Sequence, residues 1–283
     1  FFFLSLSIFF IFEFSNISSS GIFTSTRSLI SFYFMSVSIF LIGLYDDKFN
    51  LSANKKFIFS SIIIFTFLIL DSSLIITELR FSISDNAIPL HDFGIYFTLF
   101  CLLLLINAIN MFDGMNLQVG LYFLIFLTFF ILNSFLSVLV VSLMIPLLFF
   151  LFLNKTGKIF LGDSGSLICG ILMGLIIIKT YNLNYQIYCD QIFLMLAIPG
   201  IDMLRLSIER LLKGKSIFEP DNKHIHHIML KKVNFITASI SMNIFFIIIF
   251  FMILLEISSY FILFITLLFY TSILMGGKYF SKS

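Results

Sequence analysis

Four clusters of ionisable and amide side chains interrupt an otherwise apolar chain. They are Asp46-Asp47, the run Asn107-Ala-Ile-Asn110-Met-Phe-Asp113-Gly114, the run Phe160-Leu-Gly-Asp163-Ser-Gly-Ser166, and Pro220-Asp-Asn-Lys-His224-Ile-His226-His227. Adjacent carboxylates hinder one another's ionisation, so at Asp46-Asp47 one can act as a base while the other holds a cation. Lys55 or Lys56, close behind, can hold phosphate oxygens as point charges. Asn107, Asn110 and Asp113 recur every third residue, which on a helix sets their polar ends on one flank facing one cavity. Gly114 then ends the helix, and a C-terminal cap alone needs no two amides deeper in an apolar segment. The glycine-rich turn before Leu167 presents backbone N–H groups and the positive end of a helix dipole, which suits phosphate, while Asp163 suits a hard divalent cation. A helix start capped by Ser164 or Ser166 is the plain alternative. The histidine cluster lacks the Cys or second His pair of a zinc site. It reads either as a solvated loop or as imidazoles that donate to phosphate or sugar oxygens.

The elements that must position these clusters are membrane helices. Of 283 residues, 60% are hydrophobic and 11% charged, against roughly 45–50% and about 25% in a soluble domain. At ~20 residues per spanning helix this leaves room for about eight to ten spans and almost no soluble domain. Ten apolar runs are read: 1–14, 29–45, 57–70, 93–111, 119–132, 135–153, 167–178, 192–204, 235–255 and 257–275. Alternating them places Lys48, Lys55, Lys56, Lys155, Lys158, Arg205, Arg210, Lys213, Lys215, Lys223, Lys231, Lys232, Lys278 and Lys282 on one side, and only Arg27, Arg80 and Lys179 on the other. By the positive-inside rule the first side is cytoplasmic, and all four polar clusters fall there, at or just beyond span ends. On the outer side, Leu79, Phe81 and Ile83 alternate with Arg80, Ser82 and Ser84 before Asp85-Asn86, which predicts a small β-hairpin turning at that pair. The expected fold is thus an all-α integral membrane protein, a single multi-span domain over residues 1–283 with about ten transmembrane helices and one extracytoplasmic hairpin. Cys101, Cys169 and Cys189 are an odd set without disulfide spacing, the small net charge of +2 gives no sign of nucleic acid, and the 41 Phe read as lipid-facing bulk. The opening Phe-Phe-Phe, without Met, suggests that an upstream segment is missing.

Taken in order, Gly43-Leu-Tyr-Asp46-Asp47, Asn107-x-x-Asn110-x-x-Asp113-Gly114, Phe160-x-Gly162-Asp163-Ser164-Gly165-Ser166, Pro199-x-x-Asp202 and His224-Ile-His226-His227 resemble the polyprenyl-phosphate N-acetylhexosamine-1-phosphate transferase superfamily. Within it, the sequence is similar to the bacterial undecaprenyl-phosphate GlcNAc-1-phosphate transferases. The resemblance implies transfer of a sugar 1-phosphate from a UDP-sugar to a polyprenyl phosphate lipid, with release of UMP. It further implies a Mg²⁺ requirement, with Mn²⁺ as a substitute, a site facing the cytoplasm of the bacterial inner membrane, and a chain able to form a homodimer. Carried over by position, Asp46 and Asp47 are the acidic pair beside the lipid phosphate and Asp163 is the magnesium ligand. Asn107, Asn110 and Asp113 lie on the nucleotide side, Phe160 stacks on uracil and Lys56 holds phosphate. His224, His226 and His227 contact the diphosphate or sugar phosphate, with Arg205 and Arg210 nearby.

Three departures stand out from the family pattern: Asn50 in place of a third Asp, Met-Asn116-Leu-Gln where Asp-Gly-Leu is common, and no counterpart of the family's first span. Ile225 interrupts the run of three histidines seen in the branch that takes UDP-muramyl-pentapeptide for peptidoglycan, which favours a simple UDP-N-acetylhexosamine, UDP-GlcNAc first, for envelope glycan or lipopolysaccharide initiation. The peptidoglycan reaction is the runner-up. A transporter would bury polar groups nearer the midplane, often with repeat symmetry, and neither is found. Gly162-Asp163-Ser164-Gly165 also matches short serine-protease signatures, but no His falls in an apolar run to serve the serine.

Overall fold

A computed structural model describes residues 2–20, 23, 25–133, 137–183, 187–217, 219, 223–231 and 233–280. Eleven helices account for most of them: α1 (Phe2–Ser20), α2 (Thr26–Phe49), α3 (Ala53–Leu70), α4 (Gly94–Phe112), α5 (Gln118–Leu132), α6 (Ser137–Lys155), α7 (Gly162–Asn182), α8 (Cys189–Leu212), the short α9 (Ile225–Leu230), α10 (Phe235–Leu254) and α11 (Ser259–Phe280). Each of the ten expected apolar runs overlaps one of them. By length and hydropathy seven are able to cross a membrane, namely α2, α3, α4, α6, α7, α8 and α10, while the apolar stretches Leu4–Phe14, Gln118–Leu132 and Ser259–Met275 are shorter. Aliphatic and aromatic residues ring most helices because both core and lipid are apolar.

The bundle is organised around α7, whose residues Gly165–Tyr181 are buried throughout. Helix α2 runs antiparallel to it and approaches closely at Gly43, where an added Cβ would lie 2.4 Å from the Ser164 Cα. Small residues permit such backbone approach where apolar transfer no longer drives packing. Two helices contain proline, Pro146 in α6 and Pro199 in α8, and each removes the N–H that would satisfy the carbonyl four residues earlier. Both freed carbonyls have a hydroxyl donor from another helix: Ser5 Oγ donates to Ser142 O at 2.8 Å and Tyr122 OH to Met195 O at 2.7 Å. An apolar surrounding offers no water to do this, so the partner has to be built in.

Strands β1 (Glu78–Phe81) and β2 (Ser84–Pro89) form an antiparallel hairpin, pairing Leu79 with Ile88 and Phe81 with Ser84. The expected turn at Asp85-Asn86 is corrected to Ser82-Ile83. The reason is tertiary: Asp190 at the start of α8 accepts from Ser82 N at 2.9 Å and from the Ser82 hydroxyl, fixing the chain reversal there. At the hairpin end of α7, Arg80 donates to Tyr181 O and lies 4.2 Å over the Tyr181 ring. The polar clusters gather at the opposite end of α7.

Candidate functional site

Helix α7 begins at Gly162, five residues earlier than the turn-then-helix reading placed it, so Asp163 lies in its first turn. The preceding residue, Leu161, offers no side-chain cap, and neither Ser164 nor Ser166 serves as one. The cap comes from α2, where Asp47 Oδ1 accepts from Asp163 N at 2.8 Å and Oδ2 from Ser164 N at 3.1 Å. A carboxylate at this position satisfies two of the orphan N–H groups and meets the positive end of the helix dipole. Gly162 makes room for it, with φ of +66° and a Cβ position only 3.0 Å from Asp47 Oδ1. The N–H groups expected to meet phosphate are therefore engaged by Asp47.

Asp46, one residue earlier on α2, is buried and turned toward α3. The helix ends at Asn50, which adopts left-handed φ of 50°, and Leu51 N donates to Asp46 Oδ1 at 2.6 Å. This tight corner brings Lys56 back over Asp46. The Lys56 ammonium contacts both Asp46 Oδ2 and Asp163 Oδ2, so two carboxylates from different helices converge on one cationic centre. Lys55 is exposed.

The amide helix behaves less uniformly than its spacing suggests. Asn110 reaches across to α7 and donates to Ser166 Oγ at 2.9 Å, whereas Asn107 donates to Leu103 O of its own helix at 2.7 Å. Asp113 lies just past the end of α4 as its C-cap residue. Burial, with the negative charges of Asp163 and Asp47 adding to it, pushes the Asp113 carboxyl up to about 7. The following turn is tied down by Asn154 of α6. Its Oδ1 accepts from Leu117 N at 2.6 Å and its Nδ2 donates to Ile159 O at 2.8 Å, so one side chain fixes both the turn after Asp113 and the segment leading to Phe160. Phe160 itself is 75% exposed, an open aromatic face beside Asp163.

The histidine cluster is an anchored segment, not a solvated loop: His224 precedes α9, and His226 and His227 lie on it. Pro220, Asp221 and Asn222 lie outside the described residues. Asp202 on α8 meets His224 Nδ1 at 2.9 Å through Oδ2, and its Oδ1 accepts from Arg205 at 2.8 Å and from Tyr270 OH at 2.9 Å. The His226 ring lies parallel to that of His224, centroids 5.4 Å apart, and presses against Gly114, where any Cβ would fall 2.0 Å from His226 Nε2. Burial, with the His227 and His224 imidazoles, pushes His226 down to about 3, which keeps it neutral. Arg210 is buried and donates to Ile217 O at 2.6 Å, holding the chain that leaves α8.

The geometry thus joins Asp46, Asp47, Lys56 and Asp163 directly. It brings Asn110 to them through Ser166, and brings the histidines to Asp113 through Gly114. The profile of glycosyl transferase family 4 matches residues 29–181, more than half of the chain and the whole acidic and amide part of this site. The chain belongs to glycosyl transferase family 4. It is 27% identical over 226 residues to the undecaprenyl-phosphate alpha-N-acetylglucosaminyl 1-phosphate transferase of Escherichia coli O157:H7, covering 73% of this chain and 61% of that protein. It is 28% identical over 223 residues to the Salmonella typhi protein of the same name, covering 72% and 60% respectively. Against the Yersinia pestis counterpart the figures are 27% over 202 residues, covering 67% and 55%. The chain therefore spans about 60% of the length of the first two of these relatives.

In this family 4 chain the residues to which sequence reasoning gave no role are the supports. Asp202 carried a signal, an ionisable residue within an apolar helix, but its partner Tyr270 and the double anchor Asn154 carried none, because Tyr270 meets Asp202, and Asn154 meets Leu117, across long stretches of sequence. The capping role of Asp47 was equally hidden, since the helix it caps starts more than a hundred residues later.

Proposed function

We propose that the chain transfers an N-acetylhexosamine 1-phosphate, GlcNAc-1-phosphate first, from a UDP-sugar to undecaprenyl or another polyprenyl phosphate, releasing UMP and opening the synthesis of an envelope glycan. The observation that carries this reading is the convergence of Asp46 and Asp163 on a single cation at the end of the bundle, flanked by amides, imidazoles and an exposed aromatic ring. Two carboxylates around one cation suit Mg²⁺, which is usually bound through one or two carboxylates while phosphate oxygens and waters complete its shell. Asp163 and Asp46 would hold it, and when bound it would offset the repulsion between donor and acceptor phosphates. Phosphoryl transfer asks mainly for in-line placement and charge cancellation, so the chain's own part is to position the two anionic partners. Lys56 is placed to meet phosphate oxygens, Asp46 and Asp47 flank the acceptor, and Asn107, Asn110, Asp113 and Phe160 form the nucleotide side. His224, His226 and His227 with Arg210 close the donor side.

One substrate is water-soluble and the other embedded, so the reaction belongs at the membrane boundary. All ten apolar helices are taken as spans, with the site in the cytoplasm and the hairpin outside. The support is the division of Lys and Arg, fourteen against three, which depends on each span being counted. The donor assignment rests on the sequence of the basic loop 213–221 that leads into His224 and on Ile225; because epimers differ by a single hydroxyl, it is made to the class, with GlcNAc first. The test is UMP release by purified protein given undecaprenyl phosphate and a panel of UDP-sugars, with and without Mg²⁺. A UDP-N-acetylhexosamine should support turnover, and Asp163→Asn should lower it by several orders of magnitude. Turnover with UDP-muramyl-pentapeptide alone would overturn the donor class, and Asp163→Asn activity within about tenfold of wild type would overturn the cation assignment.

A further inference from the structure

Asp202 is itself assigned no substrate contact, yet it is 3% exposed and its carboxylate is fully engaged. Oδ2 meets His224 Nδ1 at 2.9 Å and accepts from Ile225 N at 3.3 Å, while Oδ1 accepts from Arg205 at 2.8 Å and Tyr270 OH at 2.9 Å. Arg205 reinforces this arrangement, donating to Tyr270 OH at 2.7 Å and to Lys223 O at 2.7 Å. Three elements, α8, α11 and the segment entering α9, are thus pinned at one point. A carboxylate has about four lone-pair sites, and four contacts fill them, so this one has no capacity left for a metal or a substrate proton.

We propose that Asp202 is the positioning residue of the donor side: by fixing the ring of His224 it sets where the whole histidine segment meets the Asp113 turn. The contact path is short and made of rigid parts. A carboxylate opposite Nδ1 holds the proton on that nitrogen and leaves Nε2 as the nitrogen available to a ligand. The fixed His224 ring stacks on His226 with planes only 4° apart, and His226 is wedged against Gly114, next to Asp113. Rotation of His224 therefore displaces His226, and with it the turn that ends α4. The acidic cluster of Asp46, Asp47 and Asp163 is held by separate contacts and does not depend on Asp202.

That separation gives the inference, which rests on the proposed transferase reading, its test. Asp202→Asn keeps the size but presents an amide to one side of the network. It should raise the KM for the UDP-sugar by at least about tenfold, the worth of one charge-assisted hydrogen bond, and leave the KM for undecaprenyl phosphate and Mn²⁺ affinity by paramagnetic resonance within threefold. In a His224→Ala background the same change should add less than threefold, because the positioned group is gone. A general loss of structure would instead raise both KM values and add fully in that background, and that result overturns the proposal. Imidazole nitrogen shifts of His224 in the unmodified protein need no variant and no activity: they should show the proton on Nδ1 at pH 9. A proton on Nε2 overturns the proposal whether or not Asp202→Asn folds. Absence of UMP release from the unmodified protein with every UDP-sugar would count against the transferase reading alone, and the nitrogen shifts would still decide the role of Asp202.

Discussion

Replacing Asp47 separates two roles that a carboxylate in this position can have. In the structure it caps α7 through hydrogen bonds of 2.8 and 3.1 Å from Asp163 N and Ser164 N. Bonds to a charged group contribute about 1.5–3 kcal/mol each when shielded, but Asp47 is exposed, so the range for a lost N-cap, about 0.5–2 kcal/mol, is the better guide. Asp47→Ala should destabilise the protein by about 1–2 kcal/mol. Asp47→Asn keeps one acceptor oxygen and loses the charge, so about half of that is expected. Because the freed N–H groups belong to Asp163 and its neighbour, the first turn of α7 loosens at the proposed cation ligand, and Mn²⁺ affinity should fall by about tenfold in Asp47→Ala, the equivalent of 1.4 kcal/mol. Thermal unfolding in detergent and paramagnetic titration of Mn²⁺ measure the two effects, with the order wild type, Asp47→Asn, Asp47→Ala expected in both. If both variants keep the wild-type midpoint and cation affinity while turnover collapses, Asp47 acts on the substrate and the capping argument is refuted.

Leu117 has φ of +70°, a conformation that disfavours a non-glycine residue by roughly 1–2 kcal/mol, against about 0.5–1 kcal/mol for the extra freedom of glycine. Either truncation of this buried side chain destabilises, but Leu117→Gly should be more stable than Leu117→Ala by about 0.5–1 kcal/mol, the reverse of the usual order; equal midpoints, or alanine ahead, would show that the turn is unstrained. Asp113 supplies a pH dependence. Its folded value of about 7 lies above the ordinary carboxylate value near 4, so the folded state binds more protons between the two. Its contribution to stability is fully present below about pH 4 and lost as pH rises through about 7. In cation-free protein the thermal midpoint of wild type should therefore fall over that window relative to Asp113→Asn, and parallel curves would contradict the assignment.

Ten of the eleven helices were legible because each is written as an apolar run, while the short α9 sits in the histidine cluster and was not; the polar clusters were legible because ionisable residues in such runs are expensive without a purpose. Errors arose wherever a distant residue settles a local outcome. Asp85-Asn86 has better turn chemistry than Ser82-Ile83, yet Asp190 holds Ser82 and the reversal follows it. Serines at the start of α7 read as caps, yet the cap is Asp47, and the helix extends back to Gly162 to meet it. Spacing alone assigned Asn107 and Asn110 to one flank facing one cavity, but only a neighbouring hydroxyl at Ser166 decides that Asn110 reaches outward while Asn107 bonds its own helix. The histidine segment read partly as a solvated loop because Asp202, twenty-two positions earlier, is what anchors it.

The carboxylates at this end of the bundle differ in how their charge is compensated, and the difference orders their roles. Asp46 and Asp163 face the Lys56 ammonium, Asp47 faces the N–H groups of α7, and Asp202 faces Arg205 and His224. Each of these charges is balanced within the protein, as a site at a membrane boundary requires. Asp113 is the exception: among the described residues no ion pair reaches its carboxylate, and burial and neighbouring negative charge both oppose its ionisation. A buried group left in this condition is costly until a donor or a positive charge arrives. Among the described residues Lys56 is the cation that meets Asp46 and Asp163, held between these two carboxylates. On the proposed reading, an incoming cation and nucleotide would have two places to act: the centre now compensated by Lys56, and the carboxyl of Asp113, beside the Gly114 on which His226 packs.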